Sequence, residues 1–159
     1  MTDARKGRRA AEVEPRTGTI YPDELRDRVK GRLKRALGDL FGLDQFGVNL
    51  TELPPGVQSA LRHWHSEEDE FVYILEGEAT LVTGAGEEVL RPGDCMGFKA
   101  GVADGHYLVN RTARPVRYIE VGSRRLEVDR VTYPDDDLAA VPNGRGGRQV
   151  MRRDGTPFG

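Results

Sequence analysis

The chain has 159 residues, a formal net charge of −2 and one cysteine, Cys95, so it has the length of a single domain and cannot form an internal disulfide. Its nearly balanced charge provides no global field for nucleic acid, and no apolar run approaches the roughly 20 residues of a membrane span. Because the N-terminus also lacks the apolar core of a secretory signal, we predict a cytoplasmic protein that binds neither nucleic acid nor membrane.

Residues 1–20 are polar and contain few core-forming side chains, which predicts a disordered N-terminal arm. Its basic residues are most simply a solvated tail, with contact to an acidic partner as the alternative. Residues 21–45 form a second segment, where apolar side chains recur near helical spacing. Gly31 and Gly38 interrupt this pattern, so we predict one or two short helical turns in a segment that packs on the main domain.

From residue 46 the apolar spacing changes to a period of two, as in FGVNLTEL, and this is typical of strands. Short runs rich in Val, Ile, Tyr and Phe then alternate with glycine-containing breaks until residue 122. This pattern predicts an all-β, antiparallel sandwich or small barrel over residues 46–122, with a hairpin turn in TGAGEE at 83–88. The alternation fades afterwards, and we predict that 123–159 form a C-terminal arm on the barrel or on a partner subunit.

The three histidines of the chain suggest a metal site. His63 and His65 are two residues apart, so in a strand they share a face at about 6–7 Å. Glu70 begins the next strand-like run, and an antiparallel return would bring its carboxylate beside both imidazoles. His106 opens a later run. We expect the intervening acidic residues, Glu67, Glu68 and Asp69, to lie in a turn at the surface.

Three imidazoles and one carboxylate suit Zn, Fe, Mn or Ni and are a poor set for Ca or Mg. Each residue alone has a simpler interpretation: a histidine pair on a surface strand, a solvated turn glutamate, or a hydrogen-bonded histidine at the core edge. Their joint spacing favours the metal. Four protein ligands would leave positions on an octahedral ion for substrate or water.

Two motifs around these residues resemble the cupin superfamily. In the first motif, six residues separate Gly56 from His63-Trp64-His65. Four residues then precede Glu70, and six more separate Glu70 from Gly77. In the second motif, five residues separate Gly93 from Lys99-Ala100-Gly101, four more precede His106, and three separate it from Asn110. Against the family pattern, Gly56 comes one residue early, Lys99 replaces a proline, and the loop before His106 is two residues longer.

This resemblance implies a cupin-type antiparallel β-barrel, also called a jelly roll or double-stranded β-helix, with a short helical segment and extended terminal arms. It implies that the metal ligands are His63, His65, Glu70 and His106. It also implies a substrate pocket, whose candidate residues are Leu61, Val72, Ile74, Phe98, Leu108 and Asn110. Of these, Asn110 is more simply interpreted as a residue that braces a strand. The outward Phe71 and Tyr73 would form a homodimer interface, unless the chain's own arms cover them.

The family resemblance favours a metal-dependent enzyme of isomerase, lyase or dioxygenase type that acts on a small polar organic substrate. The alternatives are a non-catalytic protein that binds or senses a small ligand, and a metal that only staples the barrel. All three histidines are assigned to the metal, and Glu120 or Asp104 could serve as a general base, although both are more simply surface residues. No separate general base is therefore predicted, which argues against a hydrolase.

Overall fold

Strands make up most of the regular structure. The computed structural model describes residues 6–158, and within them are twelve strands: β1 Leu33–Ala36, β2 Phe46–Leu53, β3 Trp64–His65, β4 Glu70–Glu76, β5 Ala79–Thr83, β6 Gly86–Leu90, β7 Cys95–Phe98, β8 Tyr107–Val109, β9 Val116–Ser123, β10 Val131–Tyr133, β11 Leu138–Pro142 and β12 Arg148–Met151. Every strand pair is antiparallel, so the predicted all-β antiparallel barrel is confirmed. No helix among the described residues has the length and apolar character needed to cross a bilayer.

The barrel wall consists of three sheets. A five-stranded sheet has the order β1-β2-β9-β4-β7, a three-stranded sheet has the order β6-β5-β8, and a four-stranded sheet has the order β12-β11-β10-β3. Apolar side chains from the five-stranded and three-stranded sheets pack together in one core cluster, which includes Leu53, Ile74, Leu81 and Val116.

The helical segments among the described residues are single turns of three or four residues. They comprise α1 at Asp23–Arg26 and 3-10 turns at Ala10–Glu12, Asp27–Val29 and Gly38–Phe41. Short turns were predicted between 23 and 41, but the helical spacing over 33–36 was misleading, because these residues form β1 against β2. Gly31 ends the preceding turn at φ +93°, a conformation that glycine adopts without steric cost.

The N-terminal segment has more structure than predicted. Arg16 exchanges backbone hydrogen bonds of 2.8 and 3.0 Å with Lys34, which extends the five-stranded sheet beyond β1. The prediction of disorder for residues 1–5 lies outside the described residues.

The hairpin predicted in residues 83–88 is present. Thr83 pairs with Gly86 at the ends of β5 and β6, and Gly84 and Ala85 form a two-residue turn between them.

The C-terminal segment is a sheet and a core rather than an extended arm. β10 pairs with β3 on one side and with β11 on the other, and β12 completes the sheet. Leu138 and Ala140 are fully buried, in a second core cluster that also contains Tyr21 and Leu61. The sequence concealed these strands because they are only three to five residues long and alternate with polar turns.

Candidate metal centre

Backbone pairing places two of the histidines side by side. His63 and His106 each precede a strand, and they exchange backbone hydrogen bonds of 3.2 and 2.9 Å in an isolated bridge. Their rings lie 4.8 Å apart. His65 is two residues further along, in β3, and its ring centroid lies 5.2 Å from that of His63. The three imidazoles therefore form one group.

Glu70 faces this group from the opposite sheet. The predicted pairing of its strand with the histidine strand was wrong, because β4 pairs with β7 and β9 instead. Its carboxylate reaches the imidazoles across the barrel. Glu70 Oε2 lies 2.8 Å from His106 Nε2 and 3.6 Å from His63 Nε2, and Oε1 lies 3.4 Å from His65 Nε2. All four predicted ligands thus meet at one place.

The outer ring nitrogens fix the orientation of two imidazoles. His63 Nδ1 lies 2.7 Å from the carbonyl oxygen of Leu61, and His65 Nδ1 lies 2.7 Å from Asp129 Oδ2. An Nδ1–H donated to an oxygen leaves the Nε2 lone pair available to a cation. The third ring, His106, is instead stacked on Phe98, with ring centroids 3.5 Å apart.

An unsatisfied oxygen supports the metal interpretation. Glu70 Oε2 is buried, and despite the short distance to His106 Nε2 the direction of that contact does not make a hydrogen bond. A buried carboxylate oxygen without a partner is costly unless a cation meets it. Donor atoms of His63, Glu70 and His106 lie within 4.8 Å of one another, and His65 Nε2 is 3.4 Å from Glu70 Oε1, so these groups fit a divalent transition metal.

The electrostatics of the site also favour a cation. Burial opposes ionisation of Glu70, but the surrounding imidazoles outweigh it and hold the pKa of Glu70 well below its usual range. Burial likewise acts to lower the pKa of His65, but Asp129 and Glu70 together raise it to about 9. Burial lowers the pKa of His106. The carboxylate is thus charged and needs a positive partner, either a proton on His65 or a metal ion.

A cavity of about 360 Å³ lies beside this group of residues. Of the predicted pocket residues, Val72, Phe98 and Leu108 line the cavity. The other three do not: Leu61 packs in the second core cluster and Ile74 in the first. Asn110 braces the chain, since its Nδ2 donates to the carbonyl oxygens of Leu53 and Arg114 at 2.8 and 2.6 Å.

Comparisons with known proteins identify the family. A family model for the Cupin domain matches residues 49–122. A sugar phosphate isomerase of the cupin superfamily from Silicibacter pomeroyi is 42% identical, covers 94% of both chains and has a TM-score of 0.86. The chain belongs to the cupin superfamily.

Two other structures resemble this cupin. A protein from Acidithiobacillus ferrooxidans, described as a candidate sugar phosphate isomerase, is 31% identical over 77% of both chains, with a TM-score of 0.70. A polyketide cyclase from Streptomyces resistomycificus is 23% identical over 72% of this chain and 78% of its own, with a TM-score of 0.62, and it shares the fold. The comparison with curated proteins gave no match.

A buried ion-pair network lies behind His65 in this cupin. Asp129 is fully buried, and Arg148 Nη2 lies 2.7 Å from both Asp129 Oδ2 and Glu68 Oε2. Glu68 was predicted at the surface but is 6% exposed, because Arg148 and the backbone N–H of Arg125 both bind its carboxylate. Glu67 and Asp69 are exposed, as predicted.

This network positions the candidate ligand His65 and does not require a second ion. The carboxylates of Glu68 and Asp129 are within reach of His65, a grouping that would otherwise suggest a metal, but both already pair with the Arg148 guanidinium. Sequence reasoning missed Asp129 and Arg148 because they follow residue 122, where no strand pattern was recognised.

The cavity wall also carries polar groups that sequence reasoning placed elsewhere. Glu120 lines the cavity, so its interpretation as a surface residue was wrong. Val116 and Tyr118 are buried and alternate along β9 with Glu120, and this period of two was the signal that could have identified the inward face. Asp104 is exposed, as predicted, where it accepts a hydrogen bond from the Gly84 N–H.

Proposed function

We propose that this cupin is a metal-dependent isomerase of small sugar phosphates. The observation that carries the proposal is the 42% identity, over 94% of both chains, with the sugar phosphate isomerase from Silicibacter pomeroyi. An isomerase needs a site for carbonyl and hydroxyl oxygens, a site for the phosphate and a group that moves protons. The cavity offers candidates for each.

Residues His63, His65, Glu70 and His106 would hold the ion, which we propose to be Zn, Fe, Mn or Ni. When bound, the ion would polarise the substrate carbonyl as a Lewis acid. Phe98 and Val72 shield this end of the cavity with apolar side chains. A low-polarity wall strengthens the electrostatic interactions made inside the site.

Arg32 is the candidate for binding the phosphate. Four cationic side chains line the cavity, and three of them, Lys34, Arg124 and Arg148, pair with carboxylates. Among the described residues, Arg32 donates hydrogen bonds only to the carbonyl oxygens of Ser59 and Gly18 and forms no ion pair, so no carboxylate neutralises its charge. An unneutralised guanidinium suits a phosphate, which it can bind through two parallel hydrogen bonds.

The test is a screen of the purified protein against triose to heptose phosphates, in separate preparations loaded with each of the four metals. We expect one aldose–ketose pair to interconvert, as followed by NMR, and the reaction to stop when a chelator removes the metal. The unphosphorylated sugars serve as controls and should react far more slowly. Conversion of no sugar phosphate by any metal form would overturn the proposal.

We also infer that two copies of the chain associate, and that the protein functions in the cytoplasm. The outer face of β4 exposes three large apolar side chains, Phe71, Tyr73 and Leu75, each between 40% and 47% exposed, and Met96 on β7 is 37% exposed. Contiguous exposed apolar residues are a feature of protein interfaces. Light scattering should give a dimer for the wild type and a monomer for Tyr73→Lys.

A further inference from the structure

We propose that Glu120 is the catalytic base of this cupin, moving a proton between adjacent carbons of the substrate. The assignment rests on the proposed isomerase function. It is made from the position of Glu120 on the sheet, the partners of its two oxygens and the state of the other carboxylates in the cavity.

The strand register places Glu120 next to the metal ligands. In the pairing of β4 with β9, Glu70 is opposite Gly122, and Val72 is opposite Glu120. Glu120 is therefore the diagonal neighbour of Glu70 on the same inward face, a separation of about 7–8 Å between diagonal positions. Gly122 adds no side chain between them and lines the cavity itself. A small substrate at the ion can thus reach Glu120.

The two oxygens of Glu120 have different surroundings. Oε1 lies 2.6 Å from Lys34 Nζ and accepts a hydrogen bond of 3.0 Å from Asn49 Nδ2. Oε2 has no hydrogen-bond partner among the described residues. Lys34 and Asn49 hold the carboxylate in place. The second oxygen remains available to take a proton.

The other carboxylates that line the cavity are already engaged. Glu70 faces the three imidazoles as a metal ligand. Glu68 binds the Arg125 N–H through Oε1 and pairs with Arg148 through Oε2. Glu120 is thus the carboxylate in the cavity lining that combines a fixed position with an available oxygen.

The proposed reaction balances without a further reactant. Glu120 Oε2 removes the proton from C2 of an aldose phosphate, and the released electron pair forms a C1–C2 double bond while the carbonyl pair moves to O1. The hydroxyl proton of O2 passes to O1. The electron pair on O2 then forms a carbonyl at C2, the C1–C2 double bond opens, and C1 takes the proton from Glu120. The product is the ketose, and the carboxylate is regenerated.

The test compares Glu120→Gln with the wild type on the aldose phosphate that the wild type converts. Gln keeps the size and the hydrogen-bonding capacity of the side chain but is not a base. We expect kcat to fall by about a hundredfold to ten-thousandfold, the usual contribution of general acid–base catalysis, with KM and metal content unchanged. Glu120→Asp retains a carboxylate with shorter reach, and its kcat should lie between the two.

Glu52→Gln is the matched control, because Glu52 is in β2 but pairs with Arg117 and does not line the cavity. It should keep the wild-type kcat. If Glu120→Gln keeps a kcat within a few-fold of the wild type, the base assignment is wrong and the isomerase proposal stands. If the wild type itself converts no sugar phosphate, the function fails, and the base assignment fails with it.

Discussion

Two regions of the molecule contribute in different ways to the metal centre. Residues 49–122, which match the Cupin domain, supply all four side chains that converge on the candidate ion. The C-terminal sheet approaches the centre from behind and supplies Asp129, just before β10, and Arg148 of β12, which hold His65. The family motif thus supplies the candidate ligands, while a region outside it contacts His65 and fixes the orientation of its ring.

The largest effect should follow from removing a ligand contributed by the motif region. Glu70→Ala deletes the carboxylate that faces all three imidazoles, so we expect metal content to fall from stoichiometric to near zero, measured by elemental analysis. The matched control is Glu67→Ala, three residues earlier, where the side chain is exposed and pairs with Arg125. Full metal content in Glu70→Ala would show that the ligand assignment is wrong.

Core truncations test whether the C-terminal sheet is as integral as the barrel. Leu138 in β11 and Ile74 in β4 are both fully buried. Truncating either to Ala should lower the free energy of unfolding by about 2–5 kcal/mol, the usual cost of such a cavity, as measured by urea denaturation. Leu75→Ala, at an exposed position of β4, is the control and should cost much less. A wild-type stability for Leu138→Ala would mean that the C-terminal sheet is an appendage.

A smaller effect should follow from weakening the support of His65. Asp129→Asn replaces the charged acceptor at His65 Nδ1, and losses of such supporting groups typically weaken metal binding about tenfold to a hundredfold. Competition with a chromogenic chelator would measure the metal Kd. Asp137→Asn, whose carboxylate pairs with Arg152 at the surface, should leave the Kd unchanged. An unchanged Kd in Asp129→Asn would remove the C-terminal sheet from the metal site.

The smallest effect should follow from removing the charge of Asp39, next to the point where the chain leaves β9 at Arg124. Asp39 pairs there with Arg124 and also with Arg16, and these partners hold the pKa of Asp39 below its usual range. A lowered native pKa adds stability at neutral pH that is lost as the carboxylate is protonated. Asp39→Asn should therefore cost up to about 1 kcal/mol at pH 7, typical of exposed pairs. The difference in unfolding free energy between Asp39→Asn and the wild type should vanish as the pH falls through the native pKa of Asp39, as measured by urea denaturation. A constant difference across this range would exclude the ion pairs as its cause.

Much of the barrel and its ligands could be predicted from local sequence. A period of two identified the strands between residues 46 and 122, and the spacing of His63, His65, Glu70 and His106 identified residues that the structure brings together. These signals are local because side-chain alternation and motif spacing are properties of short segments. The pairing partner of β4 was not predictable in this way, since it depends on the topology of the sheets.

The remaining features depend on contacts between distant segments. Asp129 is 64 residues from His65 along the chain, and nothing in its neighbours indicates that it is buried. Glu68 was assigned to the surface because charged residues usually lie there, but the distant Arg148 and the Arg125 N–H bind its carboxylate and allow its burial. Glu120 was assigned to the surface for another reason, since the alternation of β9 was visible but was not used to identify its inward face.

The reciprocal backbone bond between His63 and His106 has a consequence for how this protein can diversify. Both hydrogen bonds anchor His106 directly to the neighbouring segment, so its position does not depend on the length of the loop that precedes it. The two extra residues in that loop, relative to the family pattern, are therefore accommodated without displacing a ligand. Insertions in this loop can therefore change the surface around it while the backbone pairing of His63 with His106 is kept.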